Sequence, residues 1–229
     1  MRRAELALKR ECLAYDEQYY CQALPGSEAA VQDLCRLLGA VSLREAGNSV
    51  QEDLLILDPC LPGVPLVAGH LCFANAWCLD DKIGQPFLAI HGPVPSFGST
   101  IGPSSQLLLE RLKTGRPVQR LNWAVKSSGQ LDLTSRWDPH VSAANARINA
   151  ANAGELCWMR AERQTLSRLE PSGAVLFTIH TYTQPVATLT PAQLNNLYGV
   201  LRTCPPDMLR YKGIWPFHGP LLEWLARRT

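Results

Sequence analysis

The first third of the chain alternates apolar and charged residues at helical spacing. Residues 4 to 24, rich in Ala, Leu, Glu, Gln and Lys, predict one helix stopped by Pro25-Gly26. Ser27 stands where it can cap a second helix, whose Val31, Leu34, Cys35 and Leu38 fall at i, i+3, i+4 and i+7. From about residue 53 the pattern changes to short apolar runs bounded by Pro, Gly and Asp. These runs predict strands at Leu54 to Leu57, Leu66 to Trp77 and Phe87 to Ile90. A helix predicted over Ser105 to Lys113 precedes the segment GRPVQRLNWAV. Two further strands, 156 to 168 and 174 to 183, flank Glu170-Pro171-Ser172-Gly173, a four-residue hairpin signal. The end returns to helix. Thr190 can cap it, Pro191 suits its first position, and Leu194, Leu197, Tyr198 and Leu201 line one face. Cys204-Pro205-Pro206 breaks that helix, and Pro220 opens a final amphipathic turn. Helices, a mostly antiparallel sheet and helices again describe one α+β domain over residues 1–229. Its parts are a helical N-terminal segment (1–45), a sheet core (about 50–185) and a helical C-terminal segment (188–229).

Composition narrows the functional classes. The chain has 229 residues, 46% apolar and 18% charged, as an ordinary globular domain does. A net charge of +2 gives no global field toward nucleic acid or anionic lipid. No apolar run reaches the roughly 20 residues of a membrane span. The charged start MRRAELALKRECLAYDEQYY lacks the apolar centre of a signal peptide, so a cytoplasmic protein is the expectation. Eight cysteines, at 12, 21, 35, 60, 72, 78, 157 and 204, include no CxxC pair. That removes the signatures of zinc ribbons, thioredoxin-type motifs and covalent haem attachment, and leaves small buried hydrophobes as the plain reading.

Familiar catalytic signatures are also missing: GxSxG, HExxH, the Walker loop and the dinucleotide glycine fingerprint. What remains is RAERQTLSRLEPSGAVLFTIHTY, a charge-dense strand returning through an apolar one. Arg160, Glu162 and Gln164 share one parity, with Ala161, Arg163 and Thr165 on the other. A solvated face would carry such a pattern. So would a buried network holding an anionic cofactor, since arginine pairs bidentately with carboxylates. The other arresting stretch is FLAIHGPVP, where His91 ends an apolar run and enters a turn restricted by Gly92, Pro93 and Pro95. It could be a core histidine, a base or a ligand.

QEDLLIL (51–57), CFANAWCLDDKIGQPFLAIHGPVP (72–95), VQRLNW (118–123) and RAERQTLSRLEPSGAVLFTIHTY (160–182) occur in that order, with a weaker MLRYKG at 208–213. Together they resemble the haem-dependent oxidative N-demethylases. The resemblance implies a PAS-like fold: an antiparallel sheet flanked by N- and C-terminal helices, with haem b in its pocket. It implies oxidative N-dealkylation of a small secondary amine to an aldehyde and a shorter amine, with O2 as co-substrate. Within it His91 becomes the axial iron ligand, a role neutral imidazole commonly fills. Arg120, Asn122, Arg160 and Arg163 become cofactor-binding candidates, and Glu162, Gln164 and His180 candidates for the distal chemistry. One departure is Phe73-Ala74-Asn75-Ala76-Trp77, which lacks the family's proline. The chain is also shorter than typical members at both ends, which leaves the substrate and subunit partners open.

Competing positions are weaker. Cys204-Pro205 resembles a thiolate–haem dipeptide but falls in a helix break. His70 and His140 lie near predicted turns and are expected to be solvated, and His218 follows the aromatic segment Trp215-Pro216-Phe217. Two rival functions remain: a haem-PAS gas or redox sensor, and a haem enzyme performing other C–N or N–O chemistry. Without a dinucleotide fingerprint or iron–sulfur spacing, electrons must come indirectly from NAD(P)H through a separate flavin or iron–sulfur reductase. Arg116, Arg120, Lys126 and Arg136 are candidates for a basic docking rim. No nucleic-acid or membrane partner is expected, and a homo-oligomer is left open.

Overall fold

The computed structural model describes residues 2–229 and builds them around a six-stranded sheet. The strands are β1 (Cys21–Ala23), β2 (Asp53–Leu57), β3 (Leu66–His70), β4 (Val118–Lys126), β5 (Trp158–Arg168) and β6 (Val175–Pro185). Their spatial order is β1-β3-β2-β6-β5-β4, and every neighbouring pair is antiparallel. The Glu170–Gly173 connector closes the β5–β6 hairpin as its sequence predicts. Gly173 takes φ 74°, open to glycine, and Leu169 donates to the Ala174 carbonyl.

Register divides the sheet into two faces. Arg120, Gln164 and Ile179 lie side by side across β4, β5 and β6, as do Asn122, Glu162 and Thr181. This face continues through Leu166, Phe177 and Leu55 into an apolar cluster with Phe87, Phe97, Leu109 and Leu112. The segment between β3 and β4 therefore covers it. The opposite face carries Leu121, Arg163 and His180, then Trp123, Ala161 and Tyr182. N-terminal helices seal its β2–β3 end, where Leu54 and Ile56 meet Leu34, Leu43 and Ala46. C-terminal helices seal its β4 end, where Val125 meets Leu194, Leu201, Phe217 and Trp224.

Several elements differ from expectation. The predicted helix over 4 to 24 is two helices, Arg2–Tyr15 and Glu17–Tyr20, followed by β1. Asp16 caps the second by accepting from the Tyr19 amide, which breaks the run. Ser27 occupies the N-cap position of helix Glu28–Leu38 but turns its hydroxyl back to the Leu24 carbonyl. The strand predicted to Trp77 stops at His70. The Asp53 carboxylate takes the Cys72 and Phe73 amides, and Ala76 adopts φ 60°, so the chain leaves the sheet. Phe87–Ile90 is one helical turn rather than a strand. Its Ile90 amide donates to Pro86, four residues back, and only Phe87 is buried. A four-residue apolar run cannot distinguish the two forms by period alone.

The helix predicted over Ser105 to Lys113 runs Gly102–Arg111. Thr190 and Gln193 form a reciprocal capping box at the start of helix Pro191–Thr203. The last helix begins at His218, before Pro220. No helix among the described residues is long and apolar enough to cross a membrane. All eight cysteines are free: Cys60 is exposed, Cys21 and Cys204 are half-buried, and the rest are buried.

Candidate functional site

The loop-covered face holds a buried polar wall. Arg160 is 1% exposed, Glu162 8% and Gln164 5%, so alternate residues of β5 point into the protein rather than to solvent. Such polar burial is costly unless every group finds a partner. Here the partners exist. Arg160 Nε donates to Glu162 Oε1 at 3.3 Å, and its terminal nitrogens reach the carbonyls of Leu131 and Phe73 and the Thr181 hydroxyl. Glu162 Oε2 accepts from Gln164 at 2.9 Å and from Asn122 at 3.2 Å. Gln164 Oε1 in turn accepts from Arg120 Nε at 2.7 Å.

Positive charge dominates this wall. Lys126 lies beside Arg160 and Glu162 and donates to the Lys212 carbonyl at 2.9 Å. Its pKa is pulled down to about 8, by burial first and then by Arg160. Lys212 is lowered mainly by burial, with Arg120 adding to the effect, and Tyr211 is raised by burial and by Glu162. Tyr211 and Lys212 belong to the MLRYKG stretch. Sequence reasoning noted that stretch but gave its residues no role. Only the packing of helix Pro206–Tyr211 against the β4 edge brings them here.

His91 follows the helical turn Phe87–Ile90 and serves as its C-cap. Its Nδ1 lies 2.8 Å from the Phe87 carbonyl, so Nδ1 carries the proton and donates it. The ring stacks on Phe97, with centroids 4.5 Å apart and planes 16° from parallel, and sits 4.4 Å from Phe87. Burial lowers its pKa, the Phe87 hydrogen bond opposes this, and Lys82 and Arg120 lower it further. The imidazole is therefore neutral at pH 7. Nε2 makes no hydrogen bond among the described residues, which leaves its lone pair open. A supported Nδ1–H and a free Nε2 make the arrangement a metal-ligating histidine requires.

The structure separates residues that the sequence grouped. Arg163 and His180 lie on the opposite face from Glu162 and Gln164. There His180 Nδ1 lies 3.2 Å from the Tyr182 hydroxyl, 3.3 Å from Arg163 and 3.4 Å from Glu52. So these two cannot share one pocket with His91. Arg160 stays on the right face, but its donors are consumed by protein acceptors, whereas Arg120 is exposed and engages only through Nε. His70, expected in solvent, is fully buried, and burial pulls its pKa down to about 3. His140 is exposed as expected. The predicted rim also dissolves. Lys126 is buried, and Arg136 pairs with Asp132 between the rings of Tyr15, Tyr20 and Trp137.

A groove of about 480 Å³ opens on the helix-covered face, lined by Trp123, Met159, Ala161, Tyr182, Leu189 and Leu197 among others. Its lining has no acid or base beyond the Tyr182 phenol. Size alone does not make it the site.

Fold and wall together define an α+β protein with a neutral histidine in the segment that covers a cation-rich sheet face. The signature of the haem-dependent oxidative N-demethylase, alpha subunit-like, family matches residues 41–222, and the chain belongs to that family. The match takes in β2 to β6, His91, the polar wall and the MLRYKG stretch. The family description names an oxidoreductase activity that depends on haem.

Proposed function

We propose that this chain is the haem-holding subunit of an enzyme that dealkylates a small secondary amine oxidatively, with His91 as the residue that would hold the iron of haem b. The observation that carries the reading is His91 itself, with Nδ1–H tied to the Phe87 carbonyl, its ring stacked on Phe97 and Nε2 free. The residues around it suit the group. Phe87, Phe97, Ile90 and Val94 offer apolar surface to a macrocycle, and Arg120 and Lys212 offer cations to its carboxylates. The order β3-β2-β6-β5-β4, which is 2-1-5-4-3 counted from Asp53, supports the PAS-like architecture.

When bound, the haem supplies the redox centre for O2 reduction and oxidation of the carbon next to nitrogen. The protein's own part is to orient and to manage protons. The Phe87 hydrogen bond fixes the plane of the His91 ring. Asn122 and Gln164 hold Glu162 Oε2, and Arg160 holds Oε1, so the carboxylate keeps one position. Glu162 is the one carboxylate of this wall suited to acid–base work, and both of its oxygens accept hydrogen bonds, Oε1 from Arg160 and Oε2 from Asn122 and Gln164. Electrons come indirectly from NAD(P)H through a separate flavin or iron–sulfur reductase, and the setting is cytoplasmic.

The test is direct. Protein produced with haem supply should show a Soret band, and with a reductase, NADPH and dimethylamine it should release formaldehyde. Without the reductase, NADPH should not be consumed. Absence of the Soret band would end the proposal, and a Soret band without aldehyde would end its catalytic half.

A further inference from the structure

Where β2 begins and β3 ends, three ligand-type side chains meet away from the polar wall. Asp53, His70 and Cys72 are each fully buried, and their donor atoms all lie within 4.8 Å of one another. His70 Nδ1 stands 3.8 Å from Cys72 Sγ. From the helix Arg2–Tyr15, the buried Cys12 packs in one cluster with Cys72, just outside the group of three, and its thiol donates to Asp132 Oδ2 at 3.9 Å. A nitrogen at about 2.0 Å and a sulfur at about 2.3 Å from one tetrahedral zinc stand roughly 3.5 Å apart. The His70–Cys72 pair is within a few tenths of an ångström of that spacing.

A second observation points the same way. His70 Nε2 is buried without any hydrogen-bond partner, and Nδ1 has only the weak sulfur contact. An enclosed imidazole bonded so poorly is expensive, and an ion beside Cys72 would give Nδ1 a strong partner in place of the weak sulfur contact. Its surroundings also cannot relax, because the ring lies against Gly47, where even a methyl group would collide with it.

The geometry points to a closed structural site for one thiophilic divalent cation, with zinc the fitting ion, held by Asp53, His70 and Cys72 and completed by Cys12, whose thiol turns from Asp132 to the ion. Formal charge supports the set. Lys9 is fully buried, with Nζ 3.7 Å from Asp53 Oδ1, so the metal-free cluster is neutral with both thiols protonated. Exchange of those two thiol protons for one dication keeps the cluster neutral, and the released protons pass to solvent. Four protein donors leave no open position, which makes the site structural rather than catalytic. It would staple the N-terminal helix to the end of the sheet through Cys12. Nothing in this inference depends on the haem reading.

Elemental analysis of the full chain, produced with added zinc and dialysed against a weak chelator, is the test. The expected result is about one zinc per chain, with two sulfur neighbours at about 2.3 Å in zinc-edge X-ray absorption. Cys12→Ser and Cys72→Ser should each lower the zinc content at least tenfold, while Cys60→Ser, at an exposed thiol, should leave it unchanged. Should the buried-site variants fail to fold, the wild-type stoichiometry and sulfur shell still decide. Zinc below a tenth of an equivalent in the wild type, a shell without sulfur, or zinc retained in folded Cys72→Ser protein would each overturn the proposal.

Discussion

The same three strands present opposite chemistry on their two faces. Even-numbered residues of β5 carry a buried, fully bonded polar wall, while odd-numbered ones carry Met159, Ala161 and a half-exposed Arg163. The apolar face has the open groove, yet the polar face has the histidine with a free nitrogen. The proposed site therefore follows buried, partnered charge rather than open volume. Folding gains little from burying such a wall when packed apolar residues are a ready alternative.

The sharpest way to break this comparison is to truncate one histidine on each face. His91→Ala should weaken haem binding more than the roughly 10–100-fold that follows loss of a metal ligand's supporting partner. His180→Ala should leave the Soret band and haem affinity unchanged. If the two variants exchange behaviour in a haem titration, the assignment of faces is wrong.

The next contrast removes a carboxylate from each face. Glu162→Leu strands the buried Arg160 and should cost about 3–5 kcal/mol in urea unfolding. Glu52→Gln breaks the Arg163 contact on the other face, where the partners are 43% and 28% exposed, and should cost about 0–1 kcal/mol.

Lys126 gives a pH test of the wall. The unfolded side chain holds its proton up to about 10.5, whereas the folded one releases it at about 8. Between these values the unfolded chain binds more protons, so this group's contribution to stability rises with pH. Below pH 8 its full penalty is present, about 3 kcal/mol. Lys126→Met loses the bond to Lys212, about 1 kcal/mol, so it should gain about 2 kcal/mol at pH 7. That advantage should fade by pH 10.5, and a pH-independent difference would show that Lys126 is not held in the wall. Another small effect belongs to the groove side. Tyr182→Phe loses its contact with His180, about 1 kcal/mol, with no change in the haem spectrum.

Period and parity made much of this legible. The β5–β6 hairpin, the capped helix at Thr190 and the shared face of Arg160, Glu162 and Gln164 all follow from local pattern, whereas the burial of that face does not. What escaped depends on distant partners. Parity alone places His180 on a face but does not say which face is covered by what, because that depends on pairing with β2 and on the crossing segment. His70 reads as a turn residue until the N-terminal helix is laid over it. Tyr211 and Lys212 have no local signal at all, since the β4 edge they meet lies far back in sequence. Phe87–Ile90 was misjudged because four residues hold about one helical turn, too few to show a period.

β6 joins two neighbours of very different sequence distance. It meets β5 across a six-residue connection, whereas Val175 pairs with Leu57, over a hundred residues back. Closing that longer loop costs about 2–3 kcal/mol more chain entropy than closing the hairpin. In the transition state for folding, contacts such as Leu166 with Phe177 should therefore already be formed, and Leu57 with Val175 should not. Substitutions in the hairpin would then slow folding, and substitutions in β2 would chiefly speed unfolding. The segment bearing His91 is tethered to the β2–β3 pair, so the proposed ligand reaches the wall only after the slow docking step. Haem added to refolding protein should then capture the chain after that step and slow its unfolding, without speeding its folding.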